Sequence, residues 1–330
     1  MIRIQSKLDE LALQNDNRTS VFDVQIQGTQ CGTVTLTGRL LDKSQLETLS
    51  HHFPDLKLET GSIQILRRID SPRMHICTNL NGLDERPTFG MPLSSELQYG
   101  TELEILDEQG RWVLTRQEDG YLGWAYEPYL AEGIAAKATH LVIAPSCELR
   151  AGPDAADEII TRVFSGTGVV MEETDGQWAK VIANETGWMP LSLIRAISDL
   201  PESIEEKRKT LIEDSMRMIG VPYLWGGTSG NGIDCSGFVR LLHQSVGIEI
   251  PRDADMQCNA ARPVEPPFEV GDLLFFAESE SERKITHVGM SLGGWKMIHS
   301  SRSRNGVYVD DVQEHQSLKE IYVSAGSFLK

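Results

Sequence analysis

The chain has 330 residues, 40% of them hydrophobic, which is too much for one ordinary core and implies two to four domains. Lys and Arg number 31 against 48 Asp and Glu, a formal charge of −17. That balance argues against nucleic acid or anionic membrane as partners and admits a substrate carrying an amine. No run approaches the roughly 18 apolar residues of a membrane helix, so no membrane insertion is expected. Met1 to Lys7 lacks the apolar stretch and small-residue cleavage site of a secretory signal, and a cytoplasmic protein is expected. Cys31, Cys77, Cys147, Cys235 and Cys258 are odd in number and form no Cys-x-x-Cys pair. Reduced thiols are expected, with neither a disulfide framework nor a zinc site.

Residues 1–68 read as a small α/β unit. A helix is expected over Lys7 to Gln14, period-two strands over Val21 to Ile26 and Gly32 to Leu36, and a last strand over Gly61 to Leu66. Asp42 is placed to cap a helix from Lys43 to His52, stopped by Pro54. No chemistry is visible in this part.

From 73 to 196 the chain repeats itself. Gly110-Arg111-Trp112, then Gly123-Trp124, is echoed by Gly176-Gln177-Trp178, then Gly187-Trp188. Short strands at this spacing indicate small barrels. The pattern resembles bacterial SH3 domains, one over 73–133 and one over 138–196. The first departs from the usual opening with a long loop through Asn81 to Pro87, and such loops are often functional.

Ser203 with Glu206 is a capping box for a helix to about Ile219, closed by Gly220 and Pro222. Next comes Pro222-Tyr223-Leu224-Trp225-Gly226-Gly227, and then Asp234-Cys235-Ser236-Gly237-Phe238, where an apolar helical pattern begins. A cysteine at a helix start meets unpaired N–H groups and the positive dipole end, so a lowered thiol pKa is expected. Downstream, His287 and His299 lie 12 residues apart across a hairpin built on Gly293-Gly294. They can face one another as cross-strand neighbours. A thiol nucleophile needs an adjacent imidazole to carry its proton, and that imidazole needs a third group to fix its tautomer. Cys235 is the candidate nucleophile, His287 the base and His299 the orienting residue.

Pro-Tyr-x-Trp-Gly-Gly, Asp-Cys-Ser-Gly-Phe, Pro-Arg-Asp (251–253), Gly-Asp-Leu-x-Phe-Phe (271–276) and His-Val-Gly-Met (287–290) together resemble the NlpC/P60 family of papain-like cysteine peptidases over 203–330. The resemblance implies an α+β multidomain protein: a papain-like catalytic domain, two SH3-like β-barrels and the small N-terminal α/β domain. It implies hydrolysis of murein-peptide bonds between γ-D-glutamate and a diamino acid, with no metal or cofactor. Tyr223 matches a tyrosine beside the oxyanion site, core packing being the other reading, and the Cys235 N–H would supply a second donor.

Two SH3 domains ahead of such a domain resemble the recycling endopeptidases that require a free N-terminal L-alanine. In those, an acid and a tyrosine of the first SH3 domain and the aspartate of Pro-Arg-Asp hold the ammonium; the matching positions are Glu85, Tyr121 and Asp253, with Asp84 an equal chemical competitor to Glu85. Asp234 and Ser236 match residues that help bind the D-glutamate α-carboxylate. A hydrolase of intact peptidoglycan, or a silent peptidoglycan-binding module, are the rival readings. His243, Cys258 and His315 read as structural or surface residues, and Arg302 and Arg304 as a solvated basic turn with a substrate carboxylate as the alternative.

Overall fold

A computed structural model describes residues 2–90, 92–279, 281 and 283–329. In chain order come α1 (Ile2–Leu13), β1 (Phe22–Gln30), β2 (Thr33–Leu40), α2 (Lys43–His52) and β3 (Lys57–Ile65). Then follow β4 (Arg73–Ile76), β5 (Leu80–Asp84), β6 (Leu93–Gln98), β7 (Glu102–Gln109), β8 (Trp112–Arg116), β9 (Leu122–Tyr126) and β10 (Leu130–Glu132). A second all-β stretch holds β11 (His140–Val142), β12 (Ser146–Arg150), β13 (Ile159–Phe164), β14 (Gly168–Asp175), β15 (Trp178–Ile182), β16 (Thr186–Pro190) and β17 (Ile194–Ala196). The last part holds α3 (Ile204–Arg217), β18 (Thr228–Ser229), β19 (Gly232–Ile233), α4 (Cys235–Gln244), α5 (Ala254–Ala260) and β20 (Arg262–Pro263). It ends with β21 (Leu273–Ala277), β22 (Ile285–Ser291), β23 (Lys296–Ser301), β24 (Gly306–Asp311), α6 (Gln316–Ile321) and β25 (Tyr322–Ser327).

The chain divides into two compact units. The first takes residues up to 75, 85–89 and 102–134; the second takes 76–84, 90–101 and everything from 135. In the first, β1 and β2 form an antiparallel hairpin and β3 returns parallel to β2. The crossover helix α2 begins at Asp42, whose carboxylate accepts from Ser44 and Gln45 N–H while the Gln45 side chain returns to Asp42. α1 begins well before Lys7 because Ile4, Leu8 and Leu11 form one apolar stripe on the core of Val24, Leu36, Leu40 and Leu49. Strands β10-β4-β7-β8-β9 follow in one sheet.

The sequence repeat is a structural repeat. Trp112 pairs with Tyr126 and Leu114 with Trp124 between β8 and β9; Trp178 pairs with Pro190 and Lys180 with Trp188 between β15 and β16. One expectation is corrected. Most of the stretch read as a long loop is strand: Asn81 to Asp84 lie in β5, paired antiparallel with β6. Leu83 and Leu97 are both buried by that pairing, and only 85–90 turns. The hairpin belongs to the second unit, Glu85 to the first.

In the second unit, β13-β12-β16-β15-β14-β11-β17 surround Leu149, Val163, Val169, Val181 and Met189. Arg195 of β17 grips Asp214 of α3 through two hydrogen bonds, 2.7 and 2.9 Å. The expected capping box at Ser203 starts α3, and Gly220 closes its C-terminus at φ +84°. A sheet of order β20-β25-β21-β22-β23-β24 follows. Phe238, Val239 and Leu242 of α4 bury against Phe275, Val288, Met290 and Ile298 of that sheet. Among the described residues no helix is long and apolar enough to cross a membrane.

His243 of α4 is fully buried, with Nδ1 2.7 Å from the Val239 carbonyl oxygen. Burial pushes its pKa down to about 4. The unfolded chain therefore takes up this proton near pH 6.5 and the folded chain only near 4, so stability present above 6.5 is lost progressively as pH falls between those values. The loss amounts to about 3 kcal/mol. Thermal melts at stepped pH should show that fall, and His243→Leu should make it shallower; an unchanged slope in the variant would contradict the assignment.

Candidate active site

The nucleophile loop is held by charge. Asp234 is the N-cap of α4, one carboxylate oxygen accepting from Gly237 N–H at 2.6 Å and the other from Gly226 N–H at 3.0 Å. Behind it lies Arg252, 1% exposed. Its guanidinium donates to both Asp234 oxygens (2.7 and 3.2 Å), to Ser236 Oγ (2.9 Å) and to Ser95 Oγ (3.0 Å). Ser95 is on β6, and its neighbour Glu96 accepts from Thr228 N–H and Ser229 Oγ, both at 3.0 Å. The β5–β6 hairpin is thereby bonded to the loop that carries the cysteine. Gly226, at φ +77°, sits so close to Leu93 that a Cβ would fall 2.5 Å from the leucine Cβ, so only glycine serves.

Cys235 is the first residue of α4 and 7% exposed. Its Sγ lies 4.0 Å from the Thr286 carbonyl oxygen and within reach of the Val288 and Ser236 N–H groups. The thiol thus rests on the backbone either side of His287. The histidines are diagonal rather than directly opposite neighbours. The register that pairs Met290 with Ile298 sets Gly289 against His299, and a Cβ on Gly289 would stand 3.1 Å from the His299 Cβ. His287 reaches across that gap, with Nε2 2.7 Å from His299 Nδ1. On the other side His299 Nε2 is 2.9 Å from Asp310 Oδ2, on β24.

The resting charges differ from the sequence expectation. Burial, then Asp234, pushes the Cys235 thiol up to about 12, while N–H groups of Val288 and Ser236 and the charge of Arg252 pull the other way. Burial, then His299, holds His287 down to about 3. Desolvation outweighs the helix start because both charged forms lose water together. The pair rests as thiol and neutral imidazole.

Tyr223 is half-buried and bridges to Ile233, beside the nucleophile. Burial, with Cys235 and Asp234 nearby, pushes its hydroxyl pKa up, which keeps it a donor. Asp234 and Ser236 are buried, and their polar atoms are used on Arg252, each other and α4. Asp253 is the N-cap residue of α5, with one carboxylate oxygen 4.0 Å from Arg252 Nη1. Glu85 is exposed in the first unit. Tyr121, also in the first unit, is buried, its N–H donating to Asp119 at 3.0 Å. Asp84 is different: 6% exposed, with burial pushing its carboxyl up to about 6. It pairs with Leu93 across the hairpin, and Leu93 packs on Gly226 of the nucleophile loop.

Sequence reading missed four residues of this region. Arg252 stood inside a quoted motif without a role, and its two neighbours in chemistry, Ser95 and Glu96, lie more than a hundred residues away in the chain. Asp310 was findable: it sits on the strand after His299, where the register pairs His299 with Tyr308, so Asp310 shares that face two residues on. Arg304 is an exposed turn residue as expected, and its Nη1 also donates to Asp310 Oδ1 at 2.6 Å while its guanidinium lies 4.2 Å from the Tyr308 ring centre. Among the described residues no group of three or more His, Cys, Asp or Glu is arranged to hold a metal ion.

Comparison with known proteins identifies two of the domains. Residues 220–326 match the model of the NlpC/P60 family, and residues 86–131 that of the bacterial SH3 domain. The chain is 29% identical over 255 residues to the gamma-D-glutamyl-L-lysine dipeptidyl-peptidase of Bacillus cereus (strain ATCC 10987 / NRS 248), across 72% of this chain and 75% of that protein. It is 28% identical over 240 residues to the protein of the same name from Bacillus subtilis (strain 168), across 69% and 79%. A crystal structure of an NlpC/P60 family protein from Bacillus cereus ATCC 10987 superposes with a TM-score of 0.69 at 24% identity, covering 78% of this chain and all of that one, and shares the fold. With its cysteine at a helix start and its histidines on the adjoining sheet, the chain carries an NlpC/P60 cysteine peptidase domain together with a bacterial SH3 domain.

Proposed function

We propose that the protein is an endopeptidase that hydrolyses the bond between γ-D-glutamate and the following diamino acid in murein peptides with a free N-terminal L-alanine, within cell-wall peptide recycling. The observation that carries the reading is Cys235 at the start of α4, lying on the backbone that brackets His287, with His287 bonded to His299. The names of the two Bacillus relatives support the substrate class. In this reading the chain comprises a small α/β domain (1–68), two SH3-like barrels (73–133 and 138–196) and the peptidase (203–330).

The chemistry follows from the resting charges. Cys235 Sγ attacks the γ-glutamyl carbonyl carbon while His287 takes the thiol proton. The carbonyl electrons move onto oxygen, where the Cys235 N–H and the Tyr223 hydroxyl stand as donors. His287 then returns the proton to the leaving amine as the C–N bond breaks. Water, deprotonated by the same imidazole, releases the acyl group from the thioester.

Of the two acids left open by the sequence, Asp84 supports the amine subsite better than Glu85. An almost buried carboxylate whose only strong influence is desolvation is costly until a cation reaches it. A substrate ammonium is such a cation, and Asp253 lies in the same unit. Asp84→Asn should lower kcat/KM for L-Ala-γ-D-Glu-diaminopimelate by about 10–100-fold. The same variant should leave the poor turnover of the N-acetylated peptide unchanged and raise the melting temperature at neutral pH, because a desolvated charge is gone. Equal losses on both peptides, or the selective loss appearing in Glu85→Gln instead, would refute the assignment.

A further inference from the structure

Asp310 lies at the end of a line of hydrogen bonds that crosses three strands. His287 on β22 meets His299 on β23 at 2.7 Å, and His299 meets Asp310 on β24 at 2.9 Å. His299 is 2% exposed and Asp310 9%, so water does not compete for these bonds. We propose that Asp310 is a positioning residue that decides which nitrogen of each histidine carries its proton, and that Arg304 keeps that choice reversible. The proposal rests on the peptidase reading above.

An ionised carboxylate only accepts. Facing Asp310, His299 must carry its proton on Nε2, and as a neutral ring it then has a bare Nδ1. That nitrogen accepts from His287 Nε2–H, which leaves His287 Nδ1 bare for the thiol proton. Without Asp310 the opposite set is equally well bonded: His299 Nδ1–H donates to His287 Nε2, and Nδ1 of His287 already carries a hydrogen. In that set the ring cannot act as a base. The carboxylate also faces the imidazolium that forms on His287, two links away, and favours it.

The same charge has an opposite hazard. If Asp310 drew a lasting proton onto His299, its Nδ1 would become a donor and disable His287 in the same way. Two neighbours on its other oxygen restrain it. Arg304 donates to Oδ1 at 2.6 Å, and His315 Nε2 stands 3.5 Å from the same oxygen. Asp310 is held below the ordinary carboxylate range by its bond to His299 first, against the opposing effect of burial, with the Arg304 guanidinium pulling in the same direction as that bond. At the far end of the line, the groups facing the thiol are Tyr223 and Asp234, with Arg252 behind Asp234.

The test is kinetic and spectroscopic. In Asp310→Asn the amide can turn an N–H toward His299 Nε2 and impose the inactive set. The result expected is a fall in kcat of at least about a hundredfold with KM unchanged. Arg304→Gln frees the carboxylate to charge His299, so the acid limb of the kcat/KM profile should move to higher pH; mere structural damage would lower the rate at every pH without moving the limb. Nitrogen-15 spectra of the wild-type histidines should show hydrogen on Nε2 of both rings, which tests the idea even if a variant misfolds. Hydrogen on Nδ1 of His287, full turnover by a folded Asp310→Asn, or an unmoved limb in Arg304→Gln would overturn it. Turnover by Cys235→Ala would instead sink the peptidase reading itself.

Discussion

Cys235→Ala should lower kcat/KM on L-Ala-γ-D-Glu-diaminopimelate by about 10⁶-fold, while the inactive protein should still bind the peptide. The size follows from the chemistry: no other group on α4 offers a nucleophile where Sγ meets the Thr286–Val288 backbone. His287→Ala should fall to a similar level, and the double variant little further, because the two act as one unit. Stopped assays with product quantified by chromatography measure the loss, and calorimetric titration measures the binding. Residual turnover within a hundredfold of wild type would remove Cys235 from the mechanism. Tight binding with no wild-type turnover at all would favour a peptidoglycan-binding module instead.

Arg252→Ala should cost about 3–5 kcal/mol, the range for breaking a buried ion pair by removing one partner. Asp234 is 7% exposed and would remain as a buried charge facing Ser236 and the start of α4. In a domain of this size the loss appears as a melting-temperature drop of about ten degrees. Arg252→Lys should recover only part of it, since one ammonium cannot span Asp234, Ser236 and Ser95 as the planar fork does. The double variant Arg252→Met with Asp234→Asn should be more stable than Arg252→Ala alone, because no charge is stranded. If thermal melts show a loss under 1 kcal/mol for Arg252→Ala, the guanidinium is not what holds the nucleophile loop.

Much of the site was legible because its signals are local. The helix start at Cys235 is written in Asp234, Gly237 and the apolar residues after them. The strand histidines are written in period-two alternation around a Gly-Gly turn. What period two could not settle was register: His287 and His299 meet diagonally, because Gly289 and not His287 stands against His299. The β5 strand reads as loop because Asn81, Gly82 and Asp84 are polar or small, whereas in the fold it pairs with β6 and Asn81 and Asp84 are buried. The thiol pKa was misjudged for a related reason. The dipole of a helix start is visible in sequence, whereas the desolvation that opposes it comes from the sheet packed against α4.

The sequence alone singled out the candidate nucleophile, its two candidate histidine partners, the barrel repeat and the resemblance to a peptidase family, since each depends on residues close together or on a short repeated pattern. Only the tertiary structure decided how those pieces are held and charged. Arg252 gains its role from Ser95 and Asp234, Asp84 from a hairpin that buries it, and Asp310 from a strand register that brings it to His299. Hydrogen bonds and desolvation depend on distance in space, and chain separation carries almost no information about that distance until the strands are paired.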